Sequence, residues 1–190
     1  MYGEAGSAEE VGIELCREFL PGILAQFEFE DIYNLDETGL FYRQLPTISL
    51  MHKKRKGKKL NKMRCTVDVI THATGSDIHL QVIGQSKRPR CFGSAVRPFN
   101  HFGINYYNNE TSWMRSNIFS STMKKFSNMI RRKNKDRKVI LLMDNFSAHK
   151  MNHERVRPLT FNGGFKGFQF DNVTCLFLPP NVTSVCQPLD

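Results

Sequence analysis

Two carboxylates stand where short apolar runs end. Asp36 follows residues 31–35 and Asp144 follows residues 139–143. If those runs are neighbouring strands of one sheet, both side chains emerge at the same end of it. Carboxylates so placed can hold divalent cations, because Mg2+ takes hard oxygen ligands, with one or two carboxylates and several waters. Two such ions, about 3.5–4 Å apart, activate a water and stabilise the leaving oxygen of a phosphodiester. Turn chemistry accounts for the same residues: Asp36 opens Asp-Glu-Thr-Gly, Asp144 is followed by Asn145, and both are ordinary ways of leaving a strand. Both explanations stand at the level of spacing. Glu37, next to Asp36, is not counted as a ligand, since adjacent residues on an extended chain point to opposite faces.

These carboxylates sit in an unevenly charged chain of 190 residues with a net charge of +9. The first 37 residues hold ten acids against one base, Arg17, a net of −9; the remainder holds 26 bases against eight acids, a net of +18. A body this basic points to a polyanionic partner, most often nucleic acid. Solubility or a nuclear-import patch would explain the same charge. The densest run, residues 52–64, contains Lys53, Lys54, Arg55, Lys56, Lys58, Lys59, Lys62 and Arg64, and reads as a loop because like charges repel when folded together. Lys87, Arg88 and Arg90 follow in a second basic stretch. The apolar runs are too short to span a bilayer, and the acidic start lacks the form of a secretory signal, so no membrane partner is expected. The five cysteines are odd in number and contain no C-x-x-C, so neither a disulfide framework nor a zinc module is expected.

With 40% hydrophobic residues, the chain can bury one core. Residues 8–27 have helical periodicity, interrupted by Pro21. Strands are expected at 31–35, 65–70 and 78–83, the last two joined by the turn residues 73–77. A helix is expected over 111–132, with Thr111 as its N-cap and Trp113, Ile118, Phe119, Met123, Phe126 and Ile130 on one face. Residues 139–143 read as a buried central strand and 173–178 as another, ended by Pro179-Pro180. Residues 146–172, with Gly163, Gly164 and Gly167, read as an irregular insert.

Four blocks, YNLDETGLFYR at 33–43, VIGQSKRPRCF at 82–92, LLMDNFSAHK at 141–150 and LFLPPNVTSVCQPLD at 176–190, together resemble the DDE superfamily endonuclease domain. Their nearest resemblance is to the pogo/Tigger transposase branch, which includes centromere protein B and jerky-like proteins. The resemblance implies an α/β fold, a ribonuclease H-like mixed sheet with flanking helices. In it, a three-stranded antiparallel meander is followed by a helix and two parallel strands. It also implies three metal-binding aspartates, which map onto Asp36, Asp144 and Asp190. With Mg2+ or Mn2+, two ions in an active relative, they cleave DNA strands and transfer them through a 3′-hydroxyl. His149, in the second block, would orient Asp144 or contact DNA, and a satisfied structural histidine is an equal alternative. Gln187 and Ser184 would touch a backbone phosphate or cap a turn. The implied partner is DNA, the implied compartment the nucleus, and a homodimer is possible in a full-length form.

The expected organisation is an acidic helical lead-in over 1–30 and an endonuclease domain over 31–190. The chain ends at the third aspartate, where relatives open a further helix, so the domain is expected to be truncated there and its catalysis impaired. Two functions follow: a metal-dependent DNA endonuclease and strand transferase, or a catalytically inactive, transposon-derived nuclear DNA-binding protein or gene fragment.

Overall fold

A computed structural model describes residues 3–44, 63–93, 104–180 and 182–187. The helices are α1 (Gly3–Leu24), α2 (Ser116–Lys133) and α3 (Thr183–Cys186). The strands are β1 (Ile32–Leu40), β2 (Cys65–His72), β3 (Ile78–Gly84), β4 (Asn105–Asn108), β5 (Val139–Met143), β6 (Val156–Thr160), β7 (Lys166–Phe170) and β8 (Val173–Phe177). They hydrogen-bond in the order β4-β3-β2-β1-β5-β8-β7-β6. The chain divides into two compact units. One comprises Met1–Asp36, Val69–Leu80 and Met114–Asp190, and the other Glu37–Asp68 and Gln81–Trp113.

In the first unit every residue of β5 is buried, and parallel partners flank it, β1 on one side and β8 on the other. A strand covered on both faces has no polar side to show, which is why its sequence is a continuous Val-Ile-Leu-Leu-Met. Helix α2 buries Ile118, Phe119, Met123, Phe126 and Ile130, spaced along one stripe, and ends in Arg131, Arg132 and Lys133, where cations suit the helix dipole. Helix α1 contributes Cys16 and Ile23 to a core with Leu142, Leu176, Leu178 and Val182. Pro21 lies inside α1, only one turn before its end, and its carbonyl still accepts from Ala25 N–H at 2.9 Å.

The mixed sheet has the expected meander. Ala73 N–H donates to Ile32 C=O at 2.9 Å near the start of β1 and the end of β2, while Cys65 Sγ lies 3.9 Å from Leu40 C=O at the opposite ends, so the two strands run antiparallel. Five residues join β2 to β3, far fewer than a parallel crossover needs. Gly75 turns there at φ 72°, and a small polar network locks the turn. Tyr33 Oη donates to Asp77 Oδ2 at 2.8 Å, Lys133 Nζ reaches the same oxygen at 2.8 Å, and His79 Nε2 lies 3.0 Å from Oδ1 as a charge contact without hydrogen-bond alignment.

In the second unit β4 pairs parallel to β3, and Tyr106 Oη donates to Ser86 C=O at 2.6 Å. Thr66 Oγ1 donates to Ser112 C=O at 2.6 Å.

Several expectations need correction. Helix α2 starts at Ser116, five residues after Thr111. The N–H and hydroxyl of Thr111 both bond Asn109 Oδ1, at 3.1 and 3.0 Å, in a side-chain-closed turn that competes with helix. Trp113 is therefore outside the helix and 48% exposed. Residues 146–172 are not an irregular insert: they form β6 and β7, an antiparallel hairpin added to β8. Strand β1 runs on to Leu40, so Asp36 lies within it instead of following it.

Candidate active site

Strands β1 and β5 run parallel, with Ile32, Tyr33 and Asn34 paired with Ile140, Leu141 and Leu142. Asp36 lies two residues beyond Asn34, within β1, and Asp144 two residues beyond Leu142, directly after β5. Buried carboxamides clip the segments around this point. Asn34 Nδ2 donates to Leu142 C=O at 3.2 Å, joining β1 to β5. Gln187 Nε2 donates to Leu35 C=O at 2.9 Å, joining the segment after α3 to β1 immediately before Asp36. Gln187 is 6% exposed, so its amide is committed to the backbone of β1, and a phosphate contact through that nitrogen is excluded in this arrangement. Its Oε1 is buried without a hydrogen-bond partner among the described residues. Motif reading missed both clips; a lone amide two residues before an aspartate carries no distinctive pattern.

The chain after β5 closes on Asp144. Phe146 N–H donates to Asp144 Oδ1 at 3.3 Å, and a single 3-10 turn, Ser147–His149, follows. That turn returns the His149 ring, with Nδ1 2.8 Å from Asp144 Oδ1. The ring is 2% exposed and packs between Phe119 and Phe146, with centroids 5.0 and 5.6 Å away. Half-burial alone would push the Asp144 carboxyl up; the hydrogen bond and electrostatic attraction of His149 and the Phe146 amide outweigh it and hold the carboxyl below its ordinary value. Asp144 is thus ionised at neutral pH, turned by a buried histidine, and still 41% exposed through its side chain.

Removing the Gln187 clip is expected to cost stability. Gln187→Ala leaves Leu35 C=O without its donor, a loss of about 1–2 kcal/mol, read as a lower midpoint in urea unfolding.

Asp190 and the run Lys53, Lys54, Arg55, Lys56, Lys58 and Lys59 lie outside the described residues. Lys87, Arg88 and Arg90 are exposed in the second unit, on the loop after β3. Among the described residues no three His, Cys, Asp or Glu side chains converge as a metal cage. Asp36 and Asp144 carry carboxylates of the hard-oxygen type that Mg2+ and Mn2+ take as ligands.

The model of the DDE superfamily endonuclease family matches residues 62–190. The chain belongs to this family. The match holds Asp144 and Asp190, and Asp36 stands upstream of it. Among curated relatives, CENP-B homolog protein 2 of Schizosaccharomyces pombe is 32% identical over 189 residues, 99% of this chain and 35% of that protein. Tigger transposable element-derived protein 4 of Mus musculus is 32% identical over 133 residues, 68% of this chain and 25% of that protein. The chain therefore spans about a third or less of the length of these relatives. A solved Mos1 transposase paired-end complex with left transposon end superposes at a TM-score of 0.44 and 13% identity, over 80% of this chain and 39% of that one. The DDE domain described here has a mixed sheet in which β1, which holds Asp36, pairs parallel with β5, which leads into Asp144. Among the described residues, no helix of this domain is long and apolar enough to cross a membrane.

Proposed function

We propose that this DDE domain binds DNA and, with a divalent cation, hydrolyses phosphodiester bonds. The observation that carries the proposal is the parallel pairing of β1, which holds Asp36, with β5, which leads into Asp144, together with the buried His149 that orients Asp144. Asp36 and Asp144, joined by Asp190 in the family pattern, would hold Mg2+ or Mn2+. When bound, the metal supplies Lewis acidity and a more nucleophilic water. In the proposed reaction a water oxygen attacks phosphorus and its proton passes to solvent. The P–O3′ bond breaks and the departing oxygen takes a proton from solvent, leaving a 5′-phosphate and a 3′-hydroxyl. Asp144 stays anionic throughout, and His149 acts through it as a positioning residue. The exposed bases Lys87, Arg88 and Arg90, with the lysine run over 53–59, would neutralise the DNA backbone. The compartment that offers such a substrate is the nucleus. The names of the relatives support this reading, since they include a centromere-protein homolog and a transposable-element-derived protein.

The test uses supercoiled plasmid with the purified chain in Mg2+, in Mn2+, and in excess chelator. Nicking that appears with metal and vanishes with chelator is the expected result. Binding without nicking in either metal removes the enzymatic part and leaves a non-catalytic DNA-binding protein. Binding should also weaken steeply with salt, because each phosphate contact releases counterions. Absence of binding at low salt overturns both parts.

A further inference from the structure

Unit two carries an exposed aromatic patch that the hydrolytic site does not use. Phe41 is 41% exposed, Tyr42 51% and Trp113 48%. Apolar rings left to solvent in such a cluster mark a binding surface more often than chance. The patch is cationic as well. The Arg64 guanidinium lies 3.9 Å from the centre of the Trp113 ring and 5.7 Å from that of Phe41. It is held there by a 2.8 Å bond from Nη2 to Thr66 Oγ1. Arg43 lies 5.9 Å over the Tyr42 ring. With Arg64 against one side of Trp113, nearly half of that residue still faces solvent.

The described residues that flank positions 45–62 in sequence come together at the patch: Arg43 Nη1 lies 3.6 Å from Met63 Sδ. Seven bases, Lys53 to Lys62, belong to the intervening sequence, which has no acid. Flat aromatic faces beside guanidinium groups held against them match the chemistry of a nucleobase attached to a phosphate backbone. Bases within a duplex are stacked on one another and offer no free face, whereas unpaired ones do. A protein or lipid ligand for the apolar rings would leave the surrounding cations unanswered.

We propose that Trp113, with Phe41 and Arg64, forms a stacking platform for unpaired bases of DNA. This rests on the DNA binding proposed above and adds the strand state that the domain prefers. Trp113 is the sole tryptophan of the chain, so its emission reports the site directly. The experiment compares a blunt duplex with the same duplex carrying an unpaired thymidine tail, using the full chain, Trp113→Ala and Trp113→Phe. The tail should quench Trp113 emission while the blunt duplex does not. Trp113→Ala should weaken tailed-duplex binding by about tenfold or more, with blunt-duplex binding within about twofold, and Trp113→Phe should restore most of the loss. Because the side chain is half exposed, urea unfolding should change little, which separates a folding defect from the removal of a stacking surface. Equal loss on both DNAs, no loss on either, or emission insensitive to the tail overturns the platform while blunt-duplex binding upholds the functional proposal. Emission that changes with protein concentration alone, with dimers in sedimentation, also overturns it, since a second copy would then cover the patch. Failure to bind either DNA overturns both proposals.

Discussion

Asp144→Ala is expected to bring metal-dependent nicking down to the level of the metal-free control, with DNA binding unchanged within about twofold. The carboxylate directly follows the end of β5, and the short turn after it serves to aim it. Asp144→Asn keeps the shape and hydrogen-bonding reach but deletes the charge, so it should fail as completely. Asp36→Ala should match it, since Asp36 lies as far past the Asn34–Leu142 pair on β1 as Asp144 does after β5. His149→Ala should behave differently. It leaves both carboxylates in place but frees Asp144 from its 2.8 Å partner, and losing a residue that orients a metal ligand costs roughly 10–100-fold. His149→Ala should also shift the low-pH limb of nicking upward, because the Asp144 carboxyl loses the group that depresses it. Plasmid nicking across pH, beside a binding titration, measures all four variants. Nicking retained in Asp144→Ala would remove the carboxylate pair from the mechanism.

The second large effect lies in the network at the turn between β2 and β3. Asp77 is held down from 3.8 to about 2: its own partial burial pushes upward, but Lys133, Tyr33 and His79 outweigh it. A carboxyl depressed by folding stabilises the fold above its unfolded pKa, and that stabilisation disappears as pH falls through the folded value. The window for Asp77 is therefore from near pH 4 down to about pH 2. A shift of this size corresponds to roughly 2 kcal/mol at neutral pH, with modest solvent screening for a side chain 18% exposed. Asp77→Asn should lose that amount in urea unfolding at pH 7, and its difference from the parent should close as the pH approaches 2. Asp77→Ala should cost more, because the fully buried Tyr33 loses the acceptor for its hydroxyl. Equal stability of the parent and Asp77→Asn at pH 7 would show that the network contributes nothing.

What the sequence made legible was what burial writes into it. The apolar run of β5, the Asp144 that follows it, the α2 stripe and the 73–77 turn each have a local physical cause and appear where expected. The strands that escaped notice lack such a cause. Strand β6 is mostly exposed and contains Arg157 and Pro158, so it shows no alternation. Strand β7 does alternate, burying Phe168 and Phe170, but it is short and follows Gly163 and Gly164, which read as loop. The start of α2 was misplaced because Thr111 is a good cap in isolation, and only the fold shows that Asn109 has already taken it. At the site, the aspartates were visible as motif. Their support was not: the Asn34 and Gln187 bonds join residues 108 and 152 positions apart, and local pattern says nothing about such pairs.

Strand β6 has one more consequence. Among the described residues it is the last strand of the sheet on its side, and an edge strand of that kind invites another chain to pair with it. Here the edge carries the exposed Arg157 and Pro158, and Arg155, just before the strand, is tied to Asp171 at 2.8 Å. Charge and proline are the devices that keep such edges from templating aggregates. A domain whose basic surface would gather it at high local concentration along a polyanion is thus guarded against sheet-to-sheet coalescence at this border, and copies crowded together can stay individually folded.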